Sequence, residues 1–212
     1  MSRARPRLAG ALLLLAGCMG LGRRSDPTKF FTLTPLPGSA GSEHAGDPGP
    51  LSLGLGPILL PGYLDRAQLV TRVGPNEVRF APFDRWAEPL AESFGRTLQQ
   101  DLLVVLGAER VVLYPWSPST RFDFRVALEV LRFEPTAEGG AELAARWGVR
   151  DGTGTTLLVT RESRLTAPAA GRDTAAAVAA MSQTLAELSA EIGRAVREQE
   201  RQRASRGPLQ AP

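Results

Sequence analysis

Two long stretches of the sequence carry an apolar residue at every third or fourth position, the spacing that lines up side chains along one side of a helix. The first stripe is made of Trp86, Leu90, Phe94, Leu98, Leu102 and Val105. The second stripe is made of Val178, Met181, Leu185, Leu188, Ile192 and Val196. Asp84 and Asp173 precede the stripes and are predicted to cap the two helices, and Gly107 is predicted to end the first one. Each helix needs an apolar surface to cover its stripe, which predicts a sheet packed against both.

The chain between residues 29 and 165 supplies strands for such a sheet. Segments that alternate apolar and polar residues, or are rich in β-branched and aromatic types, lie at 29–34, 51–55, 68–73, 77–80, 110–116, 122–130, 142–150 and 157–165. Turns at 74–76 and 151–154 predict two hairpins, and a change of apolar parity predicts a β-bulge near residue 131. The predicted fold is a single α/β (α+β) domain, in which a mixed, mostly antiparallel sheet of about five to seven strands packs against two long helices.

The amino terminus has the plan of a secretory signal peptide. Three arginines form a positive start, and residues 8–16 form a short apolar run. That run is about half of the ~20 residues that a helix needs to span a bilayer, so a permanent membrane helix is not predicted. It leads into Leu-Ala-Gly-Cys at residues 15–18, which resembles the lipobox of bacterial lipoproteins. Cys18 is therefore predicted to carry a covalent lipid, and two or three acyl chains would hold the protein firmly at a membrane.

These signals divide the chain into four parts. Residues 1–17 are predicted to be the signal peptide, 18–28 a lipidated tether, 29–197 the α/β domain, and 198–212 a disordered tail. In Gram-negative bacteria an Asp after the lipidated cysteine favours retention in the inner membrane. Met19 stands there instead, so the sorting rules imply the outer membrane, with the domain facing the periplasm.

Charge and residue counts argue against several classes of function. Three of the 25 basic residues and none of the 22 acidic residues lie in 1–17, so the remainder has no net charge and no basic character suited to nucleic acid. The only histidine, His44, lies in the Gly- and Pro-rich segment 35–50, and the only cysteine is the one predicted to be lipidated. No catalytic site, no metal site and no cofactor other than the covalent lipid is therefore expected. Glu134 and Glu138 flank a turn and are expected to be solvated.

The order of these elements resembles one family. The stretch at 60–72 reads Leu-Pro-Gly-Tyr-Leu-Asp-Arg-Ala-Gln-Leu-Val-Thr-Arg, and it precedes Trp-Ala-Glu-Pro-Leu at 86–90 and Leu-Gln-Gln-Asp-Leu at 98–102. Over roughly residues 28–195 the chain resembles the auxiliary lipoprotein component of ABC-type transport systems, the paraquat-inducible lipoprotein group. In that family a similar strand precedes a helix opened by a tryptophan. The Gly- and Pro-rich insertion at 38–50 is longer than the family pattern.

The resemblance implies a part in a transporter that moves phospholipids or other hydrophobic molecules across the cell envelope. The implied partners are an ABC permease, its ATPase and a protein with a mammalian-cell-entry domain. The lipoprotein would hold one end of this apparatus at the outer membrane without covalent chemistry of its own. Two alternative functions stay open: a structural or assembly lipoprotein with no link to an ABC transporter, and a lipid-anchored enzyme. A homo-oligomer is also left open.

Two residues in the family-like stretch are candidates for contact with a partner protein. Tyr63 and Arg66 follow the Pro61-Gly62 break, where a loop can present them. Both are residue types that are enriched at interface hot spots. The alternative is that Tyr63 packs on the edge of its own domain and that Arg66 is a solvated charge.

Overall fold

The structure is a computed structural model that describes residues 27–38 and 51–205. This part of the chain forms an α+β fold with two long helices, α1 (Leu90–Leu106) and α2 (Thr174–Ser205), and a short 3₁₀ turn at Gly62–Leu64. The strands are β1 (Lys29–Phe31), β2 (Ser52–Leu59), β3 (Gln68–Gly74), β4 (Glu77–Trp86), β5 (Arg110–Leu113), β6 (Phe124–Pro135), β7 (Ala141–Asp151) and β8 (Leu157–Ala167). The predicted α+β class and the two long helices are confirmed.

The strands belong to two mixed sheets, where the sequence predicted one. The small sheet has the order β1-β4-β3, and the large sheet has the order β5-β2-β6-β7-β8. The division follows from pairing, because β2 lies between β5 and β6 and has no free edge for the β3–β4 hairpin. The hairpin instead accepts the short β1 as a parallel neighbour of β4.

The predicted apolar stripes form the core between the helices and the large sheet. In α1, Leu90, Phe94, Leu98 and Leu102 are buried, and the Phe94 ring meets the Phe133 ring edge-on with centroids 5.0 Å apart. The six predicted stripe residues of α2, from Val178 to Val196, are also buried. The two helices contact each other, and α2 covers β6, β7 and β8. Both stripes are therefore used inside the domain.

The start of α1 corrects the sequence prediction. Asp84 lies in β4, where its Oδ2 accepts a hydrogen bond of 2.5 Å from the Thr174 hydroxyl, and it does not cap α1. Trp86 is the buried last residue of β4 and not part of the helix. The helix begins at Leu90 because Pro89, which lacks an N–H, is tolerated at a helix start but not in its interior. The end is as predicted, since Gly107 adopts a left-handed conformation with φ 55°.

Other local predictions are confirmed, with one exception in the tail. The Asp173 carboxylate accepts a 2.8 Å hydrogen bond from the Ala176 N–H and caps α2. The β6–β7 pairing shifts register between Val130 and Arg132, at the predicted bulge. The predicted disordered tail is wrong for residues 198–205, which continue α2, and pairs such as Arg197–Glu200 and Arg201–Glu198 support these turns.

Residues 32–38 connect β1 to the helices. The Thr34 N–H donates to the Ser182 hydroxyl at 3.0 Å, and the Leu36 N–H donates to Asp101 Oδ1 at 2.7 Å. Leu33, directly before Thr34, is buried in the core. The segment after β1 is thereby fixed to both α1 and α2.

Several sequence predictions fall on residues that are not described. The signal peptide, Cys18, most of the tether, His44 and the end of the tail lie outside residues 27–38 and 51–205. Within those ranges, no helix combines the length and apolar character that a bilayer crossing requires.

Candidate docking surface

Tyr63 lies in the 3₁₀ turn and belongs to a buried polar network. Its hydroxyl donates to Glu134 Oε2 at 2.6 Å, and Arg72 Nε donates to Glu134 Oε1 at 2.5 Å. The Phe133 N–H also donates to Glu134 Oε2, at 3.0 Å. Glu134 is fully buried, so the expectation that it is solvated is wrong, whereas Glu138 is exposed as expected. Glu134 connects the turn, β3 and β6, and thereby ties the small sheet to the large one.

The electrostatics of the network favour the protonated forms of Tyr63 and Arg72. Burial, together with the hydrogen bond to Glu134 and its negative charge, raises the pKa of Tyr63 to about 12. Burial alone would lower the pKa of Arg72, but its bonds to Glu134 and Tyr63 raise it. The phenol stays a donor and the guanidinium stays charged. Because both Glu134 oxygens accept hydrogen bonds from groups on different elements, the network is a structural connection.

Arg66 lies beside this network, on its solvent side. Its Nε donates to the Tyr63 carbonyl oxygen at 2.9 Å, and its guanidinium carbon lies 4.0 Å from the centre of the Phe80 ring. That distance is within the range of a cation–π contact. The structure therefore separates the two sequence candidates: the Tyr63 hydroxyl is used inside the domain, whereas Arg66 is half-buried on the surface against an exposed ring.

Three phenylalanines of the small sheet are exposed, a feature that sequence reasoning missed. The exposed fractions of Phe30, Phe80 and Phe83 are 65%, 43% and 51%. In the β1–β4 pair, Phe31 lies opposite the buried Trp86, and Phe30 lies opposite Arg85. Since neighbouring residues of a strand face opposite sides, only one of the two adjacent phenylalanines can face the core. The two adjacent phenylalanines in the sequence could therefore have indicated one exposed ring.

A groove of about 1360 Å³ lies at the far end of the large sheet. It is bordered by residues 118–125, by the turn after β7 and by the last turns of α2. The Arg125 guanidinium lies 5.7 Å from the Phe122 ring and 5.8 Å from the Trp116 ring. The lining carries carboxylates as well as arginines, and Asp151 is engaged by backbone and hydroxyl groups of its own turn. The groove lining therefore contains side chains of both charges.

The buried carboxylate of Asp101 is used in packing. Asp101 accepts hydrogen bonds from the Leu36 N–H and from the Ser189 hydroxyl at 3.4 Å, and burial raises its pKa. No group of three or more His, Cys, Asp or Glu residues that could hold a metal ion occurs in residues 27–38 and 51–205. That the protein is not an enzyme and needs no cofactor stays a prediction.

Comparison with solved structures supports the fold. A structure of protein XCC0632 from Xanthomonas campestris, of the DUF330 family, is similar with a TM-score of 0.69 and 18% identity, covering 84% of this chain and 99% of that one. The structure of an uncharacterized protein is similar with a TM-score of 0.64 and 18% identity, covering 80% and 98% of the two chains. A search of curated proteins found no match.

The family follows from the sequence itself. Residues 31–193 match the family described as the ABC-type transport auxiliary lipoprotein component. The match covers most of the chain, including the whole of both sheets except the first residues of β1, and confirms the resemblance seen in the sequence. The chain belongs to the ABC-type transport auxiliary lipoprotein family.

Proposed function

We propose that this protein is a lipid-anchored, periplasm-facing subunit of an ABC-type envelope transport system that moves phospholipids or other hydrophobic molecules. In this role Cys18 carries the lipid, the outer membrane is the site of anchoring, and a mammalian-cell-entry protein of the transporter is the docking partner. The family match over residues 31–193 is the observation that carries the proposal. The domain acts by binding, and the transporter's own permease and ATPase supply transport and energy.

The surface beside the 3₁₀ turn is the proposed contact with the partner. Arg66 is fixed from one side by the Tyr63 carbonyl and from the other by the Phe80 ring, so little side-chain entropy is lost when a partner binds it. Arginine and aromatic residues together are typical of interface hot spots. The Tyr63–Glu134–Arg72 network holds the turn in place behind this surface.

The test is capture of the mammalian-cell-entry protein from solubilised envelopes of the source bacterium. Arg66→Ala should lower the affinity for this protein by about 30-fold, which is the effect of losing a hot spot of about 2 kcal/mol. Arg161→Ala is the matched control, because Arg161 also lies over an aromatic ring, that of Trp147, but on β8 of the other sheet. Tyr63→Phe keeps the ring and removes only the hydroxyl that bonds to Glu134. It therefore shows whether weakening the internal network reduces binding while Arg66 is still present.

Two results would contradict the proposal at different levels. If folded Arg66→Ala binds as well as Arg161→Ala, the contact lies elsewhere on the domain. If no mammalian-cell-entry protein is recovered with the parent protein, after chemical cross-linking as well as without it, the transport role with this partner is wrong.

A further inference from the structure

Phe30 and Phe83 are exposed apolar residues on adjacent strands of the small sheet. Phe30 lies opposite Arg85 in the β1–β4 register, and Phe83 directly precedes Asp84, which lies opposite Lys29, so the two phenylalanines are close neighbours. Each ring is more than half exposed. Phe80 marks the border toward Arg66, which covers part of its ring. We call the surface of Phe30 and Phe83 the membrane face.

Cationic residues occur near this pair on both strands. Lys29, the exposed first residue of β1, precedes Phe30, and Arg79 is exposed on β4. The Arg85 Nε atom is buried and has no hydrogen-bond acceptor among the described residues. The exposed acidic residue of the same strand is Glu77, while the Asp84 carboxylate is bonded to α2. Exposed apolar rings with cationic residues on the same strands complement a lipid surface that contains anionic headgroups.

The position of the face along the chain points to the same occupant. β1 directly follows the predicted tether, and Phe30 comes twelve residues after Cys18. A chain of that length reaches at most ~43 Å even when fully extended. Because residues 34 and 36 are hydrogen-bonded to α2 and α1, the tether leaves the domain at a fixed place beside the membrane face. Tethering at this distance makes even a weak surface contact effective.

We propose that the membrane face rests on the phospholipid surface to which Cys18 is anchored, with the rings of Phe30 and Phe83 at the headgroup–acyl boundary. This inference rests on the lipid anchor of the proposed function. The contact gives the tethered domain one orientation on the membrane. It also explains why two large apolar side chains stay exposed on a small sheet whose other side is packed.

The test uses the full lipidated protein reconstituted into vesicles. Acylation consumes the only native cysteine, so Phe30→Cys or Phe83→Cys gives a unique site for an environment-sensitive fluorophore. Leu157→Cys is the matched control, because Leu157 is an apolar residue of the same exposed fraction as Phe83, 51%, but lies on β8. Vesicles of phosphatidylcholine, with and without phosphatidylglycerol, carry brominated acyl chains as quenchers.

The expected result is that brominated lipid quenches the labels at positions 30 and 83 severalfold more than the label at 157. Phosphatidylglycerol should increase this quenching, and Lys29→Glu with Arg79→Glu should remove the increase. Equal quenching at all three sites would overturn the proposal. So would blue-shifted labels at 30 and 83 that brominated lipid does not quench, which would mean that protein covers the face. If the unlabelled protein does not float with vesicles, the lipid anchor itself is wrong, and this separates its failure from that of the membrane face.

Discussion

The buried pair Arg72–Glu134 gives the sharpest test of how the two sheets are held together. Arg72→Met would leave a fully buried carboxylate with only the Tyr63 hydroxyl and the Phe133 N–H as donors. Removing one partner of a buried pair costs about 3–5 kcal/mol, because the remaining charge has lost its compensation. For a chain of this size, that corresponds to a fall in Tm of roughly 6–20 °C.

The measurement is urea and thermal unfolding of the variant beside two others. Arg132→Met is the control, because Arg132 pairs with Glu142 on the adjacent strands at 3.2 Å but is 38% exposed, and such pairs contribute at most about 1 kcal/mol. Arg72→Met combined with Glu134→Gln should recover more than about 1 kcal/mol relative to Arg72→Met alone, since the amide can still accept hydrogen bonds without a buried charge. If Arg72→Met costs no more than Arg132→Met, or if the second substitution adds a further loss, the network does not hold the sheets as described.

Three further predictions concern the lipid anchor, the core and the contact of the segment after β1 with Asp101. Cys18→Ser should abolish labelling by a palmitate analogue and release the domain from membranes; continued labelling contradicts the anchor. Leu98→Ala should destabilise by about 2–5 kcal/mol in thermal unfolding, because Leu98 is fully buried, and an unchanged Tm would mean that the α1 stripe is not core. Burial raises the pKa of Asp101 in the folded state, so the native protein should lose stability relative to Asp101→Asn as pH rises above ~4. Urea unfolding of both proteins across pH measures this, and a difference in unfolding free energy that does not change with pH contradicts it.

Predictions from local sequence were the ones that the structure confirmed. The α2 stripe, the Asp173 cap, the Gly107 stop and the bulge near residue 131 each depend on neighbours within a few positions. The start of α1 was wrong although it is also local, because the Asp84 signal was given more weight than the constraint imposed by Pro89. Proline has the stronger effect there, since its missing N–H and its ring affect the backbone directly.

Features that depend on distant parts of the chain could not be predicted in the same way. Glu134 is buried only because β3 brings Arg72 to it across 62 positions, and nothing near Glu134 in the sequence shows this. The division into two sheets depends on β2 being paired on both edges, by strands that come more than 50 residues later. The sequence left Tyr63 as either a partner contact or a residue packed on its own domain, because the internal partner of its hydroxyl lies 71 positions away.

The proposed tether enters the domain through β1, a strand of only three residues that is held by the segment that follows it. β1 alone offers few backbone hydrogen bonds, and an isolated short edge strand would separate easily from β4. The next residues compensate, because Leu33 is buried and the N–H groups of residues 34 and 36 bond to Ser182 and Asp101. A pull on the tether therefore acts on the packed helices as well as on the edge of the small sheet. Since β4 contributes to both the membrane face and the Arg66–Phe80 surface, a partner docked at Arg66 would be held next to the membrane.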